Sequence, residues 1–275
     1  MMRSLYSAIS GLKNHQIKMD VIGNNIANVN TTGFKRSRVT FSTMLSQTLK
    51  GASASIASTV GGTNPMQVGL GASLGSIDQI MTQGSSQSTG NPTDMMIQGP
   101  GFFALTTNGT DRVYSRSGAF SLDDSGNLVD PASGAQVLNA DDSTTINIDP
   151  AKYTTFSIDK TGTITGILSA TGLPDTTAVG HVQIATFPNA AGLTSVGGNF
   201  YEVSNNSGSA TVYGTTALPY PTGTTLVSNA VEMSNVDLST EFTDMITAQR
   251  GFQANSRVIT VSDTLLQELI DLKRN

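Results

Sequence analysis

The sequence predicts an α+β protein in which both chain termini form one discontinuous helical coiled-coil module and the middle forms an antiparallel β domain. Apolar residues recur at every seventh position near each terminus, which is the spacing of a seam between helices. Between these stretches the chain is rich in Gly, Ser and Thr, and from about 69 to 230 its short apolar stretches are separated by turn pairs. The predicted domains are a terminal helical domain at 1–34 and 234–275, a connector at 35–68 and a β domain at 69–233.

The N-terminal helix is expected over residues 4–28. Its apolar row has members seven residues apart, which are Leu5, Leu12, Met19 and Ile26. The helix should end near Asn28, because residues 30–33 form a polar, glycine-containing turn signal. Phe34 then offers an apolar anchor just past the turn.

The middle of the chain falls into a connector and a β domain. In the connector, residues 41–49 could be helical or extended, and bulky side chains become rare after them. In the β domain, turn pairs such as Asn108-Gly109 and Thr161-Gly162 separate stretches with β-branched or aromatic residues. Close spacing without long helical intervals favours an antiparallel sheet or a small barrel.

The C-terminal helix is expected over residues 236–272, with Ser234 and Asp237 at the spacing of a capping box. Its apolar row consists of Leu238, Met245, Phe252, Ile259 and Leu266. A helix of this length measures about 55 Å, too long to be covered by a small β domain. The spacing alone allows either a private helical hairpin or a seam shared between subunits.

A second row on this helix favours the shared seam. It has three polar residues between two apolar ends and consists of Phe242, Gln249, Ser256, Asp263 and Ile270. Polar residues in a seam can set its register and the number of partners at some cost in stability.

The charge content of the chain restricts its partners. Charged residues make up 13% of the sequence, about half the roughly 25% of typical soluble domains, and weakly charged surfaces suit a protein that packs against its own copies. A net charge of −5 argues against nucleic acid as a partner, because phosphate binding requires a basic patch. The short basic cluster of Lys35, Arg36 and Arg38 is interpreted as a solvated loop or a subunit contact.

No constellation in the sequence indicates catalysis. The chain lacks cysteine, which excludes disulfides and thiolate metal sites. Its two histidines, His15 and His181, lie in a predicted helix and a predicted β segment, and serine is so abundant that any triad-like combination is close to chance. We therefore predict that the protein is not an enzyme and has no cofactor or metal. No apolar run approaches the roughly 20 residues that span a bilayer, so membrane insertion is not expected.

Two sequence segments carry a resemblance to a known family. Residues 19–35, MDVIGNNIANVNTTGFK, resemble the N-terminal signature of bacterial flagellar rod and hook proteins. Residues 234–238, SNVDL, and residues 245–255, MITAQRGFQAN, are similar to the matching C-terminal signature. Shorter stretches of the middle also resemble the β domain of this family; they are GPGFF at 99–103, YSRSG at 114–118 and ATFPN at 185–189.

The resemblance implies a structural subunit that leaves the cell through the flagellar type III export apparatus with its N-terminus uncleaved. Such subunits polymerise into a helical tube, with the terminal helices as an inner coiled-coil layer and the β domain as an outer layer. The implied location is the extracellular flagellum, at the hook or basal body. The implied partners are further copies of the chain together with flagellar rod, hook cap and hook–filament junction proteins.

Within the family, residues 233–238, 249–253 and 68–71 look most like short hook proteins, so a curved, flexible hook that acts as a universal joint is the favoured prediction. A straight distal rod is the alternative, because 275 residues leave no space for the additional outer domain of larger hook proteins and the segment 42–67 is similar to the connector of the distal rod. A secreted, monomeric binding module is the remaining alternative.

The resemblance also assigns roles to the predicted site residues. The apolar rows of both helices are expected to be buried in the inner layer, within and between subunits. Asn24, Asn25, Asn28 and Gly33 are expected to cap the first helix and to direct the chain into the connector.

Overall fold

Contacts divide the chain into two compact units. The computed structural model describes residues 2–54, 61–109, 111–140, 144–169, 172–175, 179–214 and 219–274. The first unit contains the described residues of 1–27, 37–78 and 237–275, and the second contains those of 28–36 and 79–236. Terminal helices with an antiparallel β domain between them confirm the predicted α+β class.

The unit boundaries differ from the predicted domain limits on both sides of residue 36. Most of the predicted connector belongs to the helical unit, where its first strand packs on the N-terminal helix. Residues 28–36 belong to the β unit, where the backbone N–H of Gly33 donates to the carbonyl of Glu232 over 2.8 Å. The seven-residue apolar pattern ends with the first helix. It could therefore not predict the contacts of the residues that follow that helix.

The helical unit contains two helices and four strands among the residues described. These elements are α1 (Met2–Ala27), β1 (Ser37–Thr43), β2 (Ser46–Lys50), β3 (Met66–Gly69), β4 (Ala72–Gln79) and α2 (Leu238–Arg274). Both helices agree with the predicted limits to within two residues, because a sustained 3.5-residue apolar period is a strong helical signal. Neither of these two helices is long and apolar enough to cross a membrane.

The N-cap of α2 is Asp237, three residues after Ser234, the first residue of the predicted capping box. Asp237 accepts the backbone N–H of Ser239 over 2.9 Å and the hydroxyl of Thr240 over 2.9 Å. The carboxylate thereby satisfies an orphan N–H of the first turn. Ser234 instead accepts the N–H of Val236 over 3.3 Å, so it forms a local turn before the helix.

The segment predicted as a connector is a paired β-hairpin arm. β1 pairs with β4, and farther along the arm β2 pairs with β3 in antiparallel register, followed by a bridge between Ser53 and Thr63. Hydroxyl pairs, Thr40–Ser76 at 2.7 Å among them, link the inner strands. Residues 41–49, for which helix and strand were both allowed, are therefore mainly extended. Residues 55–60 of the predicted connector lie outside the described residues.

The β unit contains the remaining strands. They are β5 (Ser86–Ser88), β6 (Met95–Gln98), β7 (Phe102–Thr106), β8 (Arg112–Ser115), β9 (Ser121–Leu122), β10 (Leu128–Val129), β11 (Gln136–Val137), β12 (Tyr153–Ile158), β13 (Thr163–Leu168), β14 (Gly180–His181), β15 (Ile184–Thr186), β16 (Thr194–Gly197), β17 (Phe200–Glu202), β18 (Thr211–Tyr213), β19 (Thr225–Ser228) and β20 (Ala230–Glu232). The predicted Thr161-Gly162 turn joins β12 to β13, with Gly162 at φ +76.

The largest sheet is organised around β7. Within the described residues it has nine strands, and β7 pairs antiparallel with β8 on one side and with β11 and β15 on the other. Every residue of β7 is buried, with Phe103 and Leu105 at 0% exposure in one apolar cluster and Phe102 in another. A strand buried on both faces therefore forms the centre of the β unit.

Candidate assembly interface

The terminal helices pack against each other in antiparallel orientation within the helical unit. The side-chain amide of Asn25 donates to Glu241 over 3.2 Å, and Lys18 forms an ion pair with Asp244 at 3.1 Å. Toward the other end of α1, Gly11 faces the side chain of Asn255. Residue numbers in α1 thus rise as those in α2 fall.

Small residues permit the close approach of the two helices. A Cβ atom added to Gly11 would lie 2.7 Å from the Asn255 amide, and one added to Gly251 would lie 2.5 Å from the His15 ring. The seam therefore includes glycine and polar side chains at its closest contacts. On α2, Glu241, Ala248 and Ser262 are buried in the same heptad row as Asn255.

The predicted apolar rows border this seam and do not form its centre. The row on α1 lies one residue after Gly11, Lys18 and Asn25, or about 100° further around the helix. The half-buried members of both rows are Leu5, Leu12, Met19, Ile26, Met245, Phe252, Ile259 and Leu266. Leu238 is exposed, at 39%.

Further apolar side chains of both helices remain exposed on the single chain. They are Tyr6 and Ile9 on α1 and Phe242, Ile246, Val258, Val261, Leu265, Leu269, Ile270 and Leu272 on α2. Of the polar members of the predicted second row, Gln249 and Asp263 are exposed and Ser256 is half-buried. At the observed register the start of α1 lies level with about residue 264, so the last turns of α2 continue past it.

Asn25 fixes the start of the hairpin arm. Its side-chain oxygen accepts the N–H of Ser37 over 2.9 Å, its amide donates to the carbonyl of Ser37 over 2.9 Å, and the residue is 1% exposed. This two-point contact sets where β1 begins relative to α1. Asn24 is exposed on the same helix.

The other predicted turn residues lie in the β unit. The carbonyl of Asn28 accepts the N–H of Thr31 over 3.2 Å, in the turn that follows α1. Gly33 has φ +69, and a Cβ there would meet the backbone N of Ser117 at 2.5 Å, so only glycine fits this close approach. Phe34 is half-buried.

The β unit also holds a buried ion cluster that sequence analysis missed. Lys35 Nζ lies 2.6 Å from Glu232 Oε1, and Arg116 Nε lies 3.2 Å from Glu232 Oε2. All three side chains are at most 5% exposed. The interpretation of Lys35 as part of a solvated loop or subunit contact was therefore wrong, whereas Arg38 is exposed and lies 3.5 Å from Asp78.

Burial governs the titration of this cluster. Desolvation lowers the pKa of Lys35 and that of Arg116, although the Glu232 carboxylate opposes both shifts. Burial also raises the pKa of Tyr201 to about 12, with a smaller contribution from the charge of Glu232. No local sequence pattern indicates the pair, because Lys35 and Glu232 are 197 positions apart.

Three family models match the chain. A model described as "Flagella basal body rod protein" matches residues 5–35, and one described as "Flagellar hook protein FlgE/F/G D1 domain" matches residues 96–166. A third, "Flagellar basal body rod FlgEFG protein C-terminal", matches residues 227–272. The first and third cover most of α1 and of α2.

Individual relatives extend these matches. The flagellar basal-body rod protein FlgG of Bacillus subtilis is 52% identical over 275 residues, which span 100% of both chains. FlgG of Caulobacter vibrioides is 38% identical over 99% of this chain and 100% of its own. The flagellar hook protein FlgE of Treponema pallidum is 56% identical over 137 residues, which are 50% of this chain and 29% of that protein. This protein therefore belongs to the flagellar rod and hook protein family and is a structural subunit of the flagellum.

Proposed function

We propose that this protein is a subunit of the flagellar rod that polymerises through its terminal helices into a straight tube. The observation that carries the proposal is the full-length similarity to rod proteins: 52% identity to the Bacillus subtilis protein extends over 100% of both chains. The rod proteins of Caulobacter vibrioides and Buchnera aphidicola are likewise matched over 100% of their own length. Similarity along the whole length of these rod proteins supports the same kind of assembly.

The helical unit supports assembly through its incompletely covered faces. The apolar rows are only half-buried on the single chain, and Phe242, Ile246 and Leu265 are about half-exposed. Exposed apolar area of this kind marks a contact surface, since its burial is favourable by roughly 25 cal/mol per Å². In the proposed tube, neighbouring copies bury these rows in an inner layer and the β unit lies outside. The low content of charged residues also supports self-association, because few charged groups need to be desolvated when copies of the chain pack together.

The hook is the second candidate function. The Treponema pallidum and Borreliella burgdorferi hook proteins are 56% and 55% identical over 137 residues, a higher identity than to the rod proteins named above. Those matches cover only 29% and 30% of the hook proteins, which favours the rod. For either function, export through the type III apparatus and contact with rod, hook cap or hook–filament junction proteins are parts of the proposal.

Immunogold electron microscopy of detached flagellar bases distinguishes these functions. An epitope tag in the β unit should label the straight shaft below the curved hook. Gold along the curved hook would contradict the rod proposal and support the hook. Failure of the purified protein to polymerise, together with absence of label from flagella, would favour the monomeric binding module.

A further inference from the structure

A small cavity lies beside the buried ion cluster in the β unit. Its volume is about 90 Å³, and its polar walls include Lys35 and Arg116. Its apolar walls include Met81, Phe102 and Phe187. The cavity is far below the roughly 300–1,000 Å³ of sites for metabolites or nucleotides, so only a small occupant fits.

The charges around this cavity do not balance. Lys35 and Arg116 bring two positive charges, and Glu232 is the carboxylate that pairs with both. Their side chains are at most 5% exposed, so one positive charge is left in a desolvated place. Burying an uncompensated charge is costly, and the lowered pKa values of both cations have burial as their first cause.

The hydrogen-bond donors of Arg116 are also incompletely used. Nη2 donates to the carbonyl of Gly99 over 2.7 Å, and Nε lies against Glu232. Nη1 is buried, and no hydrogen-bond acceptor is found for it within the part of the chain that the structure describes. Lys35 Nζ has two acceptors, Glu232 and the carbonyl of Thr82, for its three N–H groups.

We propose that this cavity binds a small monovalent anion, such as chloride, between Arg116 and Lys35. The anion accepts hydrogen bonds from Arg116 Nη1 and from the ammonium group, and it neutralises the excess positive charge. The apolar walls strengthen this attraction because they lower the local dielectric constant. A water molecule would satisfy a donor but leave the charge uncompensated, and a divalent oxyanion would reverse the sign of the imbalance.

Thermal unfolding in different sodium salts tests the proposal on the full chain. Chloride or bromide should raise the melting temperature by a few degrees over gluconate at equal ionic strength, because gluconate is too large for the cavity. Broadening of the ³⁵Cl resonance by the protein should accompany this rise. Equal melting temperatures without broadening would mean that the cavity holds water only and would overturn the proposal.

Three variants locate the effect. Arg116→Gln should abolish the difference between chloride and gluconate, whereas Arg112→Gln, at the exposed start of β8 four residues before Arg116, should retain it. Glu232→Gln removes the competing negative charge and should increase the chloride-dependent rise at least twofold. A smaller rise in Glu232→Gln than in the unsubstituted protein would overturn the proposal, even if Arg116→Gln fails to fold.

Discussion

Asn25 and Glu232 are buried polar residues that each join segments distant in the sequence. Asn25 bonds to Ser37 at the start of β1 and to Glu241 in the first turn of α2. Glu232 accepts the N–H of Gly84 over 2.8 Å and pairs with Lys35. Removing one partner of such a pair leaves a buried group unsatisfied, which costs more than the net gain from forming the bond. At the scale of single residues, the specific conformation of each unit therefore depends on these buried polar contacts.

Tyr201 should make the protein lose stability at alkaline pH. Its pKa is raised from 10.0 to about 12, so the folded state holds the phenolic proton more tightly than the unfolded state does. The associated stability is complete below the unfolded pKa of 10.0 and is lost as the pH rises toward about 12. The loss amounts to about 3 kcal/mol for a shift of this size. Tyr201→Phe should remove this component.

Urea unfolding at about pH 9 and at about pH 11.5 measures the effect. The drop in unfolding free energy between the two conditions should be smaller in Tyr201→Phe than in the unsubstituted protein. Tyr220, whose pKa burial also raises, supplies a residual drop in both proteins. Identical drops in both proteins would contradict the assigned cause.

At the scale of elements, the helix pair shows what periodicity can and cannot predict. Both helices follow from the heptad rows, because burying one face requires a repeat near 3.5 residues. The centre of their seam does not, since Gly11, Gly251 and Asn255 are small or polar and leave no apolar signal. The buried pair of Lys35 and Glu232 was equally inaccessible, because a close contact across 197 positions leaves no local pattern.

Two glycine substitutions should have different effects on the helix pair. Glycine within a helix costs roughly 1 kcal/mol relative to alanine. A Cβ at Gly23 would have no neighbour within 4 Å among the described residues, so Gly23→Ala should stabilise the helical unit by about that amount. Gly251→Ala should lack this gain, because its Cβ would lie 2.5 Å from the His15 ring.

Helical circular dichroism during thermal unfolding of the unassembled chain compares these substitutions. The double variant Gly251→Ala/His15→Ala should recover part of the missing stabilisation, since the obstructing ring is removed. Equal gains from Gly23→Ala and Gly251→Ala would contradict the close approach at Gly251.

At the scale of the whole molecule, the single chain has a well-buried β unit and a helical unit with exposed apolar faces. The β unit centres on strands with no exposed residue, whereas α2 carries side chains such as Ile270 at 65% exposure. Seven-residue apolar spacing and turn spacing were sufficient to predict a helical part at the termini and a β part in the middle of the chain. The arm at residues 37–78 was not predicted, because hydroxyl-rich strands with few bulky residues look like a linker.

Phe252→Asp should abolish polymerisation while leaving the β unit folded. The residue is half-buried beside the seam, and a carboxylate there would be desolvated when another copy packs on it. Electron microscopy should show no tubes, motility should be lost, and the near-ultraviolet circular dichroism of the β-unit tyrosines should be preserved. Phe252→Leu, the matched control, should still assemble. Normal tubes from Phe252→Asp would refute the assigned role of this row.

The pair formed by Lys35 and Glu232 has a mechanical consequence for a structural subunit of the flagellum. Lys35 lies next to the point where the chain passes from residue 36 into the helical unit, Glu232 lies shortly before its final exit at residue 236, and Gly33 adds a backbone bond to Glu232. A pulling force on either segment is transmitted to the other before any strand of the β unit has to separate. Separating Lys35 from Glu232 would expose two buried charges at once. This ion pair should therefore break only at high force, after weaker contacts between subunits have broken.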